Sequence, residues 1–268
     1  MFKDFESFTP TTMVLVYEFD CEINIKKLFP LIKYDMKNGP IVSVSFDGIS
    51  RGIKKKDFRN SITLYINQSI DKTVSVKISK NKIHICGITN FESAYIIVAY
   101  IIDVISKIIR EVDEIKKIPK IKFIKDAYLN DKYDFVKSYR NEYNNVNYLN
   151  FLYWLYNLED IVVGNLKIIS LKEAMINYNY DIGFPVDRWN LFLLFNDKKH
   201  EGFYTYYNNS INYSVIIIYK DQFSNFHTII VYKSGLVTQS GKKISEIKNL
   251  YNKFMSIVYE NKNKILLC

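Results

Sequence analysis

The chain of 268 residues lacks any pair of cysteines at CxxC spacing, and its three cysteines, Cys21, Cys86 and Cys268, lie far apart. That pattern excludes an even-numbered disulfide framework and points to a reducing compartment. Glycine (9) and proline (5) are scarce, which excludes collagen-like and linker-dominated chains. No apolar run reaches membrane-spanning length: the longest, Tyr95 to Ile109, is cut by Asp103, Ser106 and Lys107. The opening segment MFKDFESFTPTT has no signal-peptide apolar core. The expectation is a soluble, intracellular protein without a membrane partner. Histidine is limited to His84, His200 and His227, which show no metal spacing with each other or with cysteine. Cys86 lacks the basic surroundings of a nucleophile. No Ser/His/Asp group, paired-carboxylate signature or phosphate-binding loop of the G-x4-G-K-[ST] type is present. These absences read as no enzyme, no metal and no cofactor.

What is present is a core and a positive charge. Hydrophobic residues make up 48% and charged residues 24%, enough apolar surface for a packed domain rather than a disordered chain. Lys and Arg number 37 against 28 Asp and Glu, a net charge of +9. That excess is compatible with a polyanionic partner. Tyr (22) and Phe (18) are abundant. The excess of Lys, Ile, Asn and Tyr fits AT-rich codons, so part of the basicity is compositional. The glycosylation sequons at Asn67, Asn208 and Asn212 read as chance in such a chain.

Along the chain, alternation predicts strands over 12–19, 41–46, 61–66, 73–79 and 82–87, with turns at Asp71-Lys72 and Lys80-Asn81. Residues 23–33 read as a short helix interrupted by Pro30, and the basic stretch GISRGIKKK (48–56) reads as a loop. Thr89 and Glu92 have capping-box spacing. Behind them Ala94, Ile97, Val98, Ile101, Ile102, Ile105 and Ile108 form one helical stripe. The same order recurs: strands over 215–220, 228–234 and 236–241, a Ser234-Gly235 turn, then a helix with Ile244, Ile247, Leu250, Tyr251, Phe254, Ile257 and Val258 on one face. VSVKISKNKIHICG (74–87) aligns with TIIVYKSGLVTQSG (228–241), FRNSI (58–62) with YNNSI (207–211), and Thr12–Leu28 with Met175–Leu191. The chain reads as a duplication: a repeat over 1–109, a spacer over 110–167 and a second repeat over 168–268. The fold class is α+β, with a helix lying across an antiparallel sheet in each repeat. In the spacer, Tyr148, Leu149, Leu152, Leu155 and Tyr156 would line one helical face. A lid, a partner-docking element and a packed insertion all remain open for it.

These residues carry a resemblance to the TATA-binding protein family. YDIGFPVDRWNL (180–191) resembles the family's CDVKFPIRLEGL, and IIVYKSGLVTQSGKK (229–243) resembles its hairpin LLIFVSGKxxxTGAK. VKISKNKIHICGIT (76–89) is similar to the same hairpin, and DCEINIKK (20–27) to GCxLDLKT. The long spacer and the F-x-N-S element also resemble the divergent relatives of large nucleocytoplasmic DNA viruses. The resemblance implies a saddle: one curved antiparallel sheet with two long helices on its convex face. It implies that the concave face enters the minor groove of AT-rich promoter DNA and kinks it with apolar wedges, paying for unstacking with contact area.

By position the wedges would be Phe58 with Ile78 and Tyr207 with Tyr232. The remaining face would comprise Thr12, Val14, Val76, His84, Cys86, Met175, Asn177, Thr228, Ile230, Thr238 and Ser240, with Lys82 and Lys243 near phosphate. Thr12 and Met175 stand where the family has asparagines that read base edges, and Asn177 lies two residues further on the same strand face. One conflict is internal to the sequence: Val74, Val76 and Ile78 share a strand face that a core would claim, against Ser75 and Lys77 on the other. The implied function is transcription initiation, with double-stranded DNA, RNA polymerase and a factor-IIB-like protein as partners. The implied location is a viral factory, host cytoplasm, virion or nucleus. The alternative is a protein-interaction scaffold of a viral transcription complex that does not grip DNA alone, which acidic residues flanking the face would favour.

Overall fold

The computed structural model describes residues 2–36, 39–53, 59–69, 72–208 and 213–267. Phe58, Lys54 to Lys56 and Cys268 lie outside the described residues. The chain divides into two compact units. The C-unit contains Met1–Val16, Ile85–Ala94 and Lys172–Cys268; the N-unit contains Tyr17–His84 and Tyr95–Leu171. Both are α+β. Helix α1 is the short turn Ile25–Leu28; strands β1 (Thr12–Ile23), β6 (Lys82–Ile88) and β7 (Val162–Asp181), and helix α2 (Phe91–Lys116), contribute residues to each unit. Among the described residues no helix is long and apolar enough to cross a membrane.

In the N-unit the strand order is β3 (Ile49–Gly52), β2 (Ile41–Phe46), β4 (Ile62–Ser69), β5 (Lys72–Ile78), then β6, β1 and β7. The stretch 48–56, expected to be a loop, begins with a strand. Asp47 (φ +48°) and Gly48 (φ +83°) form a two-residue turn that returns β3 onto β2, with Phe46 opposite Ile49. Positive φ at both turn residues matches the right-handed strand twist, so Asp-Gly closes a hairpin even with little hydrophobicity behind it. Strand pairs Ile62/Ile78, Leu64/Val76 and Ile66/Val74 lie on one face, and all six side chains are buried. On α2, Ile97, Val98, Ile101, Ile105, Ile108, Val112 and Ile115 are buried while Ile102 is partly exposed. The stripe continues past residue 109 because Val112 and Ile115 keep its period. The predicted capping box is not used: Asn90 Oδ1 accepts the Ser93 amide at 2.8 Å, one residue later than Thr89 would.

Within the stretch expected as a spacer, three helices pack into the N-unit: α3 (Lys120–Asn130), α4 (Asp134–Arg140) and α5 (Asn145–Tyr156). Their aromatic residues supply the reason. Phe123, Tyr139, Tyr148 and Phe151 are buried; the Tyr139 and Phe151 rings lie 4.7 Å apart. Tyr139 donates its hydroxyl to the Leu31 carbonyl at 2.5 Å, which satisfies a polar group that burial would otherwise leave costly. Burial pushes the Tyr139 phenol well above its usual range. Tyr148, Leu152 and Leu155 form the expected buried stripe of α5, with Leu149 and Tyr156 at its margin.

In the C-unit the strand order is β6, β1, β7, β11 (Leu236–Gly241), β10 (Phe226–Tyr232), β9 (Ser214–Lys220) and β8 (Phe203–Tyr206). Two helices cover the unit's buried face: α6 (Arg188–Asn196) packs on β8 and β9, and α7 (Ile244–Glu260) packs on β11. Asp187 caps α6 by accepting the Trp189 and Asn190 amides at 2.9 and 3.1 Å. On α7, Ile247, Leu250, Tyr251, Phe254, Ile257 and Val258 are buried, each worth about 1.5–3 kcal/mol relative to exposure. Ile244, expected on that stripe, is exposed in the first turn. The N-terminal segment closes this core: Phe5 lies 4.7 Å from the Tyr178 ring, and Tyr251 donates to the Lys3 carbonyl at 2.7 Å. Burial raises the Tyr251 phenol to about 12.

Candidate nucleic-acid interface

The face of the C-unit sheet opposite α7 is set by strand alternation. On β10, His227, Ile229 and Val231 are buried, so Thr228, Ile230 and Tyr232 point the other way. On β11, Val237 and Gln239 are buried, leaving Thr238 and Ser240 on the same outer face. Register ties the strands into rows. Asn179 lies opposite Thr238, Thr238 opposite Ile230, Ile230 opposite Ile216, and Ile216 opposite Tyr206. A second row runs Asn177, Ser240, Thr228, Ile218 and Tyr204 by the same pairings. The outer face is thus β-branched and hydroxyl-bearing at its centre, with tyrosines on one side and asparagines on the other. Thr238 Oγ1 donates to Asn179 Oδ1 at 2.9 Å. Tyr204, Tyr206 and Tyr232 are exposed, as are Lys220 and Lys233.

Of the residues expected on this face, Asn177, Thr228, Ile230, Tyr232, Thr238 and Ser240 lie on it. Met175 is exposed further along β7. Thr12 and Val14 are half-buried on β1, opposite the buried Met13 and Leu15. Cys86 is half-buried on β6 and is not in a disulfide among the described residues. Lys243 is exposed at the start of α7 and pairs with Glu246 at 3.4 Å. Tyr207 is placed differently: Arg188 lies 5.5 Å from its ring centroid and the Phe192 ring 6.4 Å away. Both neighbours belong to α6, on the buried side of the unit. Alternation explains this, because Phe203 and Thr205 point toward α6, and Tyr204 and Tyr206 point away. Tyr204, Tyr206, Ile216, Ile218 and Asn179 were not anticipated on the outer face. The alternation of FYTY (203–206) was the available signal, though four residues are short for a strand prediction.

The N-unit reverses two expectations. Val76 and Ile78 are fully buried, so neither reaches an outer face. The hairpin explains it: Ser79 donates its amide to the Lys82 carbonyl at 2.9 Å, closing a two-residue turn at Lys80-Asn81. That register places Ile78 on the face of the buried Ile83. Ser75 and Lys77 occupy the other face with Lys82 and His84. The chemistry of that face is charged. Glu18 Oε1 lies 3.4 Å from Lys82 Nζ, Glu18 Oε2 accepts from Ser170 at 3.1 Å, and Glu22 pairs with Lys80 at 2.7 Å. Burial, then Lys77 and Lys82, hold the His84 imidazole below its usual pKa.

No protein-family model matches the chain, and no curated protein matches it in sequence. Among solved structures it is similar to Methanococcus jannaschii TBP, at 15% sequence identity and a TM-score of 0.48, over 94% of this chain and 98% of that one.

Proposed function

We propose that the outer face of the C-unit sheet binds AT-rich duplex DNA in the minor groove, as a transcription initiation factor would. The carrying observation is the composition of that face: Thr228, Ile230, Thr238 and Ser240 at its centre, without a charged side chain among them, flanked by exposed Tyr206 and Tyr232. Hydroxyl and apolar groups suit the shallow A·T code of the minor groove, which presents acceptors alone. Tyrosine at the margin can insert its ring between base steps while its hydroxyl stays near water. Lys220 and Lys233 stand where phosphates would pass, and such contacts position the duplex without reading it. The motifs shared with the TATA-binding protein family support the same reading, and seating RNA polymerase with a factor-IIB-like protein is the role that follows.

Fluorescence anisotropy with a 20-base-pair AT-rich duplex over a series of salt concentrations tests it. The expected result is binding that weakens with salt by about 0.9 log units per tenfold salt for each phosphate contact. Tyr232→Ala should weaken binding by about 1–3 kcal/mol, the usual size of a base–aromatic contact. No binding at low salt, or full affinity in Tyr232→Ala combined with Tyr206→Ala, removes the reading.

A second reading, a protein-interaction scaffold without autonomous DNA binding, is favoured by one observation. Glu18, Asp20 and Glu22 alternate with the buried Phe19, Cys21 and Ile23, so β1 carries an acidic row in the N-unit. Lys82 and Lys80 pair with Glu18 and Glu22 in that row, and a basic partner surface would take those carboxylates over in exchange. Recovery of polymerase subunits on the immobilised chain after nuclease treatment, lost in the Glu18→Gln, Asp20→Asn, Glu22→Gln triple variant, is its expected signature.

A further inference from the structure

The three histidines have no metal spacing among themselves, but the fold brings one of them to two carboxylates. His227 lies on the buried face of β10, Asp221 in the turn between β9 and β10, and Glu246 in the first turn of α7. His227 Nε2 is 3.5 Å from Asp221 Oδ2 and 3.9 Å from Glu246 Oε2. All three ligand atoms lie within 4.8 Å of one another. They line a pocket of about 260 Å³ shared with Tyr219, Asn249 and Lys253.

We propose that Asp221, His227 and Glu246 form a binding site for a divalent transition-metal ion of the zinc class, with the fourth position left to water. Four observations carry it. The geometry is close: at metal–ligand distances of about 2.0–2.2 Å, tetrahedral ligand atoms sit about 3.4 Å apart, and the two distances from Nε2 approach that value. The donor set, one imidazole nitrogen with two carboxylate oxygens, suits Zn²⁺ better than Mg²⁺ or Ca²⁺, which prefer oxygen alone. The site is built rather than incidental. Asp221 is locked by accepting the Phe223 and Asn225 amides on Oδ1 at 2.9 and 2.8 Å, which turns Oδ2 toward the histidine. A Cβ on Gly241 would meet His227 Nδ1 at 2.7 Å, so glycine there makes room for the ring, and Nε2 is the nitrogen facing the carboxylates.

The fourth observation is an unmet need. Glu246 Oε2 is buried without a hydrogen-bond partner among the described residues. One Nε2 proton cannot serve two carboxylates equally well. Lys243 Nζ lies 3.4 Å from Glu246 Oε1 on the exposed side, so the oxygen left without a partner is Oε2, which faces His227 and Asp221 and would be relieved by a bound cation. A bound metal would fasten the β9–β10 turn to the start of α7, so it would act as a staple within the C-unit.

The experiment is isothermal titration of the metal-free full chain with zinc chloride, followed by cobalt(II) substitution monitored in the visible range. The expected result is one equivalent of zinc and the intense visible bands of a four-coordinate cobalt site. Glu246→Gln and His227→Gln should each weaken zinc binding by about 100-fold or more, since even outer-sphere partners cost 10- to 100-fold. His200→Gln, at an exposed histidine outside the cluster, should leave binding unchanged. If His227→Gln fails to fold, Glu246→Gln at the pocket rim gives the same readout. Absence of a stoichiometric site, unchanged affinity in Glu246→Gln, or loss of binding in His200→Gln overturns the proposal.

Discussion

Two hairpins of similar sequence, β5–β6 and β10–β11, fold with opposite logic in their first strands. Both place three residues between strand ends, Ser79 to Asn81 and Lys233 to Gly235. In the first, Ser79 bonds Lys82, which leaves a two-residue turn and puts Val74, Val76 and Ile78 in the core. In the second, Val231 pairs with Val237, and the loop is three residues long. Gly235 ends that loop at φ +93°, with its amide bonded to the Tyr232 carbonyl. A Cβ there would meet the Phe184 carbonyl oxygen at 2.3 Å, so the second loop depends on glycine in both conformation and space. The offset of one residue turns every side chain of the first strand over. Val76 is therefore core where its counterpart Ile230 is outer face, and Ile78 is core where Tyr232 is exposed. The second strands stay in phase: Ile83 and Val237, and Ile85 and Gln239, are all buried.

The sharpest way to break the comparison is to truncate the aligned pair Ile78 and Tyr232. Ile78→Ala should cost about 2–5 kcal/mol in urea unfolding, as for a buried isoleucine that leaves a cavity. Tyr232→Ala should change stability by less than about 1 kcal/mol and act on DNA affinity instead. Equal costs at the two positions would show that the strands share a face after all.

A smaller effect separates Ile85 from Gln239. Tyr180 donates its hydroxyl to Gln239 Oε1 at 2.8 Å, and Gln239 Nε2 donates to the Ile247 carbonyl at 2.8 Å. Gln239→Ile would copy the first hairpin and leave the buried Tyr180 hydroxyl unpaired, at a cost of about 1–3 kcal/mol. Chemical denaturation of Gln239→Ile against the paired Tyr180→Phe, Gln239→Ile variant checks it: the double variant should recover part of the loss. No recovery would mean that the chain of hydrogen bonds does not set the cost.

The smallest expected effect concerns His84, aligned with Thr238. Burial and the two lysines depress the folded-state pKa of His84 below the ordinary histidine value of 6.5. The unfolded chain then binds more protons near that pH, so the stabilising contribution is present above about 6.5 and is lost as pH falls through the lower folded value. Stability measured from pH 7.5 downward should decline, and less so in His84→Thr. An identical decline in both would assign it to other groups.

Much of the architecture was legible in local pattern. The stripes of α2 and α7 and the strands of both hairpins follow from periodicity, because burial on one face of a helix or strand writes itself into the spacing. Strands β3 and β8 were not legible. Each is four residues long, and each exists through pairing with a neighbour rather than through its own alternation. The outer face was half legible. Thr228, Ile230, Thr238 and Ser240 followed from the second hairpin, where core and resemblance agree. Val76 and Ile78 did not, because positional alignment carries residues across a turn whose register it cannot see. The cluster of Asp221, His227 and Glu246 was invisible, since its members are spread from 221 to 246 and meet through the packing of α7 on the sheet.

The sequence by itself determined the α+β class, the order of the longer elements and the apolar faces of the helices, since these arise from interactions a few residues apart. Tertiary structure alone decided which face each strand turned outward, whether the spacer packed, and which polar groups met. Those outcomes depend on hydrogen bonds and contacts between distant segments, and a single turn of two residues or three is enough to reverse them.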